Sequence, residues 1–360
     1  MISLKSITDK VKNGLRITDG EALFLFESND LLGIGELASL VNERKNGNRV
    51  FFNVNRHINY TNICVKRCAF CAFSRKSDEE GAYTLDLIEI KKRAVEAVQQ
   101  GATELHIVGG LHPDLQFDFY LEMLRVAQSV SASLHIKAFT AVEIDHLASL
   151  AGLSVGEVLR SLRDAGLGSL PGGGAEIFSW RIREQLCPDK ISGERWLTIM
   201  EEAHGIGLRS NATMLYGHLE SFDDRVDHLR QLRDLQDRTH GFQAFVPLAF
   251  QPENTRLHLD RPAGTTGVDD LKNMAVARLY LDNFEHIKAY WVMLGEKTAQ
   301  VALAFGVNDL DGTVIEEKIG HDAGAVSPQF LCREDILRLI RKAGRMPVER
   351  DTLYRPLRVY

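Results

Sequence analysis

The stretch Val50-Phe51-Phe52-Asn53-Val54-Asn55-Arg56-His57-Ile58-Asn59-Tyr60 runs straight into Thr61-Asn62-Ile63-Cys64-Val65-Lys66-Arg67-Cys68-Ala69-Phe70-Cys71. Its alternating first half predicts a strand over 50–60. Its second half places Cys64, Cys68 and Cys71 just beyond that strand's C-terminal end, spaced Cys-x3-Cys-x2-Cys. A thiolate is a soft ligand suited to zinc or to iron–sulfur clusters, and three thiolates leave one iron of a cubane without a protein ligand. Such an iron is open to chemistry. Structural zinc prefers a closed set of four ligands, and the remaining cysteines, Cys187 and Cys332, are single and distant. A zinc-binding barrel therefore ranks below the cluster. A disulfide framework asks for an even cysteine count and a small secreted scaffold, which five cysteines in 360 residues do not match. Cys187 and Cys332 read as core residues.

Outward from this passage, short β-rich runs alternate with amphipathic helical stretches. Strands are predicted over 50–60, 104–108, 135–139, 168–170, 210–215, 242–248, 287–294 and 309–314, with helices over 85–100, 117–130, 155–165, 194–205, 223–237, 268–284 and 297–305. Eight βα repeats of this size point to an α/β protein of the (β/α)8 TIM-barrel type, whose active site lies on the loops after the strands' C-terminal ends. The cysteines follow the first strand. The simplest division is a helical preface over 1–49, a barrel over 50–320 and a C-terminal extension over 321–360 packing on the barrel.

Hydrophobic residues at 44% and charged residues at 26% describe a folded globular chain. A net charge of −6 argues against nucleic acid or an acidic membrane as partner, because either selects a basic patch. Nowhere do eighteen apolar residues run together, and residues 1–14 lack the apolar core of a secretion signal. The expected location is cytoplasmic, without membrane insertion, in a reducing medium that suits an oxygen-sensitive cluster.

Cys64-x3-Cys68-Ala69-Phe70-Cys71, with an aromatic residue before the last cysteine, resembles the signature of the radical S-adenosylmethionine superfamily. The resemblance implies a 4Fe-4S cluster held by the three thiolates, with S-adenosylmethionine chelating the fourth iron and Phe70 against the adenine. Gly109-Gly110 is similar to the superfamily's Gly-Gly-Glu element beside the methionine part of the cofactor, although Leu111 stands in the acidic position. Thr213-Met214-Leu215-Tyr216-Gly217-His218-Leu219-Glu220 resembles the stretch near the adenine, with Glu220 its marked acid. Leu170-Pro171-Gly172-Gly173-Gly174-Ala175-Glu176 opens a predicted helix and offers backbone N–H groups to an anion; the plainer reading is a glycine-rich turn with Glu176 as a first-turn acid.

A closer resemblance covers almost the whole chain. Arg56-His57-Ile58-Asn59-Tyr60-Thr61-Asn62, His106-Ile107-Val108-Gly109-Gly110-Leu111-His112-Pro113-Asp114-Leu115, Lys137-Ala138-Phe139-Thr140-Ala141-Val142-Glu143-Ile144 and Phe245-Val246-Pro247-Leu248-Ala249-Phe250 are similar to the aminofutalosine synthase family. That resemblance implies addition of the adenosyl radical to the enolpyruvyl double bond of 3-[(1-carboxyvinyl)oxy]benzoate. Rearrangement and decarboxylation then give 6-amino-6-deoxyfutalosine for menaquinone, and S-adenosylmethionine is consumed as a co-substrate. It also implies an electron donor such as flavodoxin or ferredoxin. Dehypoxanthine futalosine cyclase and the deazaflavin-forming synthases share parts of these segments and are the alternatives. The small-molecule substrate is a dicarboxylate, so an acidic chain must offer it local donors. Candidates are Arg56, His57, Lys137, Arg209 and, favoured among them, His112.

Overall fold

The computed structural model describes residues 2–257 and 264–360. Among them the strands are β1 (Arg49–Asn53), β2 (Asn55–Ile58), β3 (Glu104–Ile107), β4 (His135–Ala138), β5 (Ser169–Leu170), β6 (Arg209–Tyr216), β7 (Phe242–Ala249), β8 (His286–Ile287), β9 (Asp309–Gly312), β10 (Met346–Arg350) and β11 (Pro356–Val359). Strands β2 to β8 form one parallel sheet in sequence order, as right-handed βα crossovers dictate. Segment 309–315 joins the two outer strands: Ala289 N–H donates to the Asp309 carbonyl at 2.9 Å and His57 N–H to that of Ile315 at 2.8 Å. Parallel bridges Lys288↔Asp309 and Arg56↔Ile315 lie beside these bonds. The sheet thus curls into a TIM-type barrel as the alternating pattern predicts, with seven strands in place of eight.

The predicted strand over 50–60 is two strands. β1 leaves the barrel and pairs with β10 and β9 in a second, four-stranded sheet ordered β11-β10-β1-β9. Side chains replace the ladder at the break: the Thr313 hydroxyl donates to the Asn55 carbonyl at 2.8 Å, and Val314 N–H donates to Asn55 Oδ1 at 2.8 Å. The predicted strand over 287–294 is cut short in the same way. It becomes the two-residue β8 followed by a helix at Trp291–Leu294, because the buried Trp291 indole N–H reaches the Gly312 carbonyl at 2.9 Å. The second sheet underlies the barrel, with Arg350 bonded to Asp309 at 2.8 Å and both side chains fully buried.

Period-two alternation decides what each barrel strand presents. Ile58, Leu105, Ile107, Ile136 and Ala138 are fully buried beneath the surrounding helices. Their neighbours His57, His106 and Lys137 are register partners across β2, β3 and β4 and share the inner face. A helix at Ala141–Ala151 was not among the expected ones. Thr140 caps it, with Glu143 completing a reciprocal capping box, and Thr-x-x-Glu before an apolar run was the signal for it.

Candidate active site

The cysteine loop is tied to the top of β3. Gly110 N–H donates to the Thr61 carbonyl at 2.8 Å, Val65 N–H to that of Leu111 at 2.9 Å, and Cys64 N–H to that of Arg75 at 3.0 Å. Glycine is required for this approach. A β-carbon on Gly109 would meet the Tyr60 ring at 2.7 Å, and one on Gly110 the Ile63 carbonyl oxygen at 2.2 Å. Gly109 N–H donates to Glu143 Oε1 at 3.1 Å, and the Tyr60 hydroxyl donates to the same oxygen at 2.9 Å. Burial raises the Glu143 carboxyl while these bonds and those from Thr140 oppose it.

Inside the barrel lies a cavity of about 300 Å³, into which Cys64, Cys68 and Cys71 face from the cysteine loop. Phe70, Gly109, Gly110 and Glu176 also line it. Glu176 holds Lys190 at 2.5 Å, and the ammonium lies 5.0 Å from the centre of the Phe70 ring. The Glu176 backbone is left-handed, at φ 48°, a strained conformation for a residue other than glycine. Burial pushes the Cys68 thiol up to about 12, with the Lys190 cation opposing.

Lower in the same cavity are His57, His106, Lys137, Lys288, Asp311 and Glu317. Lys137 is 2.7 Å from Glu104 and Lys288 is 2.5 Å from Asp311, all buried. Burial raises the Glu104 carboxyl, but the ammonium groups of Lys137 and Lys288 outweigh it and hold Glu104 well below its ordinary range. Asp311 is likewise held down to about 2 by Lys288 and Lys137 against burial. Burial depresses both His57 and His106, which stack at 4.3 Å and are neutral at pH 7.

Four expected site residues do not join the cavity lining. His112 Nδ1 accepts from the N–H groups of Asp114 and Leu115, closing a local turn. Glu220 is buried against Arg225 at 2.6 Å and accepts from the N–H groups of Gly217 and His218. Arg56 faces the helices, between Glu96 at 2.9 Å and Glu316 at 3.0 Å. Adjacent residues on a strand cannot share a face, so placing His57 inside sends Arg56 outside. Arg209 opens β6 at the end away from the cysteines and donates to the His240 carbonyl. Lys190, Lys288, Asp311, Glu143, Glu104 and His106 were missed. For Glu104 and His106 the signal was polar residues at every second position of a strand that is otherwise apolar.

Among the described residues no group of three His, Cys, Asp or Glu side chains is placed to hold a metal ion. The three cysteines are free thiols arranged around one cavity. A cluster, in which each thiolate meets a different iron, asks for soft donors spread around a space rather than gathered on a point. Three soft donors facing one cavity fit such a cluster.

The comparisons with known proteins agree. A model described as the Radical SAM superfamily matches residues 58–232, and one described as the CofH/MqnC C-terminal region matches residues 239–359. The chain is 48% identical over 356 residues to aminodeoxyfutalosine synthase of Thermus thermophilus, covering 98% of this chain and 96% of that one. It is 45% identical over 317 residues to 5-amino-6-(D-ribitylamino)uracil--L-tyrosine 4-hydroxyphenyl transferase of Methanopyrus kandleri, covering 87% and 86%. The crystal structure of methylornithine synthase superposes with a TM-score of 0.76 at 19% identity, covering 95% of this chain and 97% of that one, a likeness of fold. Among the described residues no helix is long and apolar enough to cross a membrane. On the cysteine loop, the barrel and these full-length likenesses, the chain belongs to the radical S-adenosylmethionine superfamily, enzymes that use a 4Fe-4S cluster with S-adenosylmethionine.

Proposed function

We propose that the chain carries out the aminodeoxyfutalosine synthase reaction. In it the 5′-deoxyadenosyl group of S-adenosylmethionine is added to 3-[(1-carboxyvinyl)oxy]benzoate, with rearrangement and loss of the enolpyruvyl carboxyl group, giving 6-amino-6-deoxyfutalosine. The observation that carries this reading is a single cavity with three thiols at one end and two buried ammonium groups, those of Lys137 and Lys288, at the other. A radical reaction needs positioning and exclusion of water more than an acid or base, and the interior of a barrel supplies both. The identity of 48% to the Thermus thermophilus enzyme of that name supports this reaction over its relatives.

In this reading Cys64, Cys68 and Cys71 hold the cluster, which when bound supplies the electron that splits the sulfonium into methionine and an adenosyl radical. The N–H groups of Gly109 and Gly110 are already used by Glu143 and Thr61. Their carbonyl oxygens, that of Gly110 at 3.5 Å from the Tyr60 hydroxyl, would accept from the ammonium of the cofactor's methionine part, in place of the carboxylate that Leu111 lacks. Phe70 would pack on the adenine. Glu176 keeps Lys190 beside that ring. A flavodoxin or ferredoxin as reductant and a cytoplasmic location complete the proposal.

The test is an anaerobic assay of the cluster-loaded chain with reductant, S-adenosylmethionine and the enolpyruvyl benzoate. Methionine and an adenosyl-containing product in equal amounts are expected; recovery of the adenosyl group as free 5′-deoxyadenosine would favour hydrogen abstraction, as in the cyclase reading. The Methanopyrus kandleri likeness favours one second reading, tested by supplying 5-amino-6-(D-ribitylamino)uracil and L-tyrosine. Turnover of that pair alone would replace the proposal.

A further inference from the structure

The register of the barrel sheet places His57, His106 and Lys137 side by side on the inner face, below the cysteine loop, and Lys288 closes the same level from the last strand. Two features of this layer call for a ligand. The His57 imidazole is only 4% exposed, lines the cavity, and its Nε2 has no hydrogen-bond partner among the described residues. A polar atom so buried and unpaired is costly unless a ligand completes it. In addition, Lys137 and Lys288 each donate to one carboxylate, Glu104 and Asp311 respectively, although an ammonium carries three donors. The formal charges cancel within each pair, and Arg350 with Asp309 adds a third balanced pair. The layer is therefore rich in unused donors while carrying no surplus charge of its own.

We infer that this layer is a carboxylate-binding floor, in which His57 Nε2 and the ammonium groups of Lys137 and Lys288 receive the ring carboxylate of the substrate. The inference rests on the function proposed above. The enolpyruvyl methylene must meet the adenosyl carbon at the cysteine end, and the ring carboxylate, meta to the ether, is the substrate group farthest from that methylene. It therefore points down the barrel to the floor. His106 stacks on His57 and fixes its ring plane; Asp311 and Glu104 orient the two ammonium groups. His57 thus sets specificity for an arene carboxylate, and its neighbours position the donors.

Binding to the cluster-loaded full chain with S-adenosylmethionine, without reductant, is measured by anaerobic calorimetry for the enolpyruvyl benzoate and for its ring-amide analogue. The unaltered protein should bind the acid roughly ten- to a hundredfold more tightly than the amide. His57→Phe keeps the ring stack and should lose roughly tenfold for the acid and little for the amide, with iron content and cofactor affinity unchanged. His57→Gln, which retains an N–H donor, should recover part of that loss. The double variant Lys288→Met/Asp311→Asn removes a charge together with its partner, so no buried ion is left unpaired, and should also narrow the acid-to-amide ratio. Equal weakening of both ligands, or none, in these variants overturns the floor while leaving the proposed function standing. Failure of the unaltered protein to bind the acid at all overturns both.

Discussion

Gly110 lies so close to Ile63 that a β-carbon on it would stand 2.2 Å from the Ile63 carbonyl oxygen and 2.7 Å from the carbonyl carbon. Both are backbone atoms and cannot rotate away. The residue after Ile63 is Cys64, so any side chain at 110 acts on the first cysteine. Gly110→Ala should shift the cysteine loop and lower bound iron severalfold after anaerobic reconstitution, while far-ultraviolet circular dichroism stays unchanged. Full iron content in that variant would show that the loop yields without consequence.

The thiols divide by position. Cys64, Cys68 and Cys71 line the cavity, whereas Cys187 is packed in the core and the Cys332 thiol donates to Asp335. Alanine at any of the first three should abolish iron-dependent absorption and turnover. Alanine at Cys332 should leave both intact, and at Cys187 should cost stability on the order of 1 kcal/mol for a small core deletion with turnover kept. Full activity in Cys68→Ala would sink the cluster assignment.

Lys137 and Glu104 are joined at 2.7 Å, with side chains 3% and 0% exposed. Removing one partner of such a pair strands the other charge in the interior, which costs about 3–5 kcal/mol. Lys137→Met should lower unfolding free energy by that order in urea titration. The double variant Lys137→Met/Glu104→Leu should regain most of it. A single variant as stable as the parent would mean that water or other groups compensate the carboxylate.

His321 donates within hydrogen-bond distance of Glu317, and that bond raises its pKa from the ordinary value to about 9. A folded-state value above the unfolded one, about 6.5, means that the native state binds the extra proton. The stabilisation is complete below pH 6.5 and is lost as pH rises through 9. The unfolding free energy of the parent should fall between those values, and His321→Gln should flatten this part of the profile. An unchanged slope in the variant would remove His321 as its cause.

The cysteine spacing, the alternation of β-rich and helical stretches and the glycine pair after β3 were legible in the chain because each is a local pattern. They determined the barrel, the cluster motif and the end of the barrel that carries it. Phe70, Gly109, Gly110 and Glu176 line the cavity, each on a loop that follows a barrel strand. Where the outcome depended on a distant segment, local pattern failed: Thr313 and Val314 split the strand at 54. Glu220 and His112 were settled by near neighbours instead, Glu220 by Arg225 and His112 by the N–H groups that follow it, because a motif does not say which bonds a side chain makes. The inner polar layer shows the division most plainly. The polar alternation of β3 and β4 is written in the sequence, but period two says only that alternate residues share a face, and not which face is inside. Tertiary closure of the sheet decided that, by burying the isoleucines and leucines under the helices and leaving His57, His106 and Lys137 around the cavity.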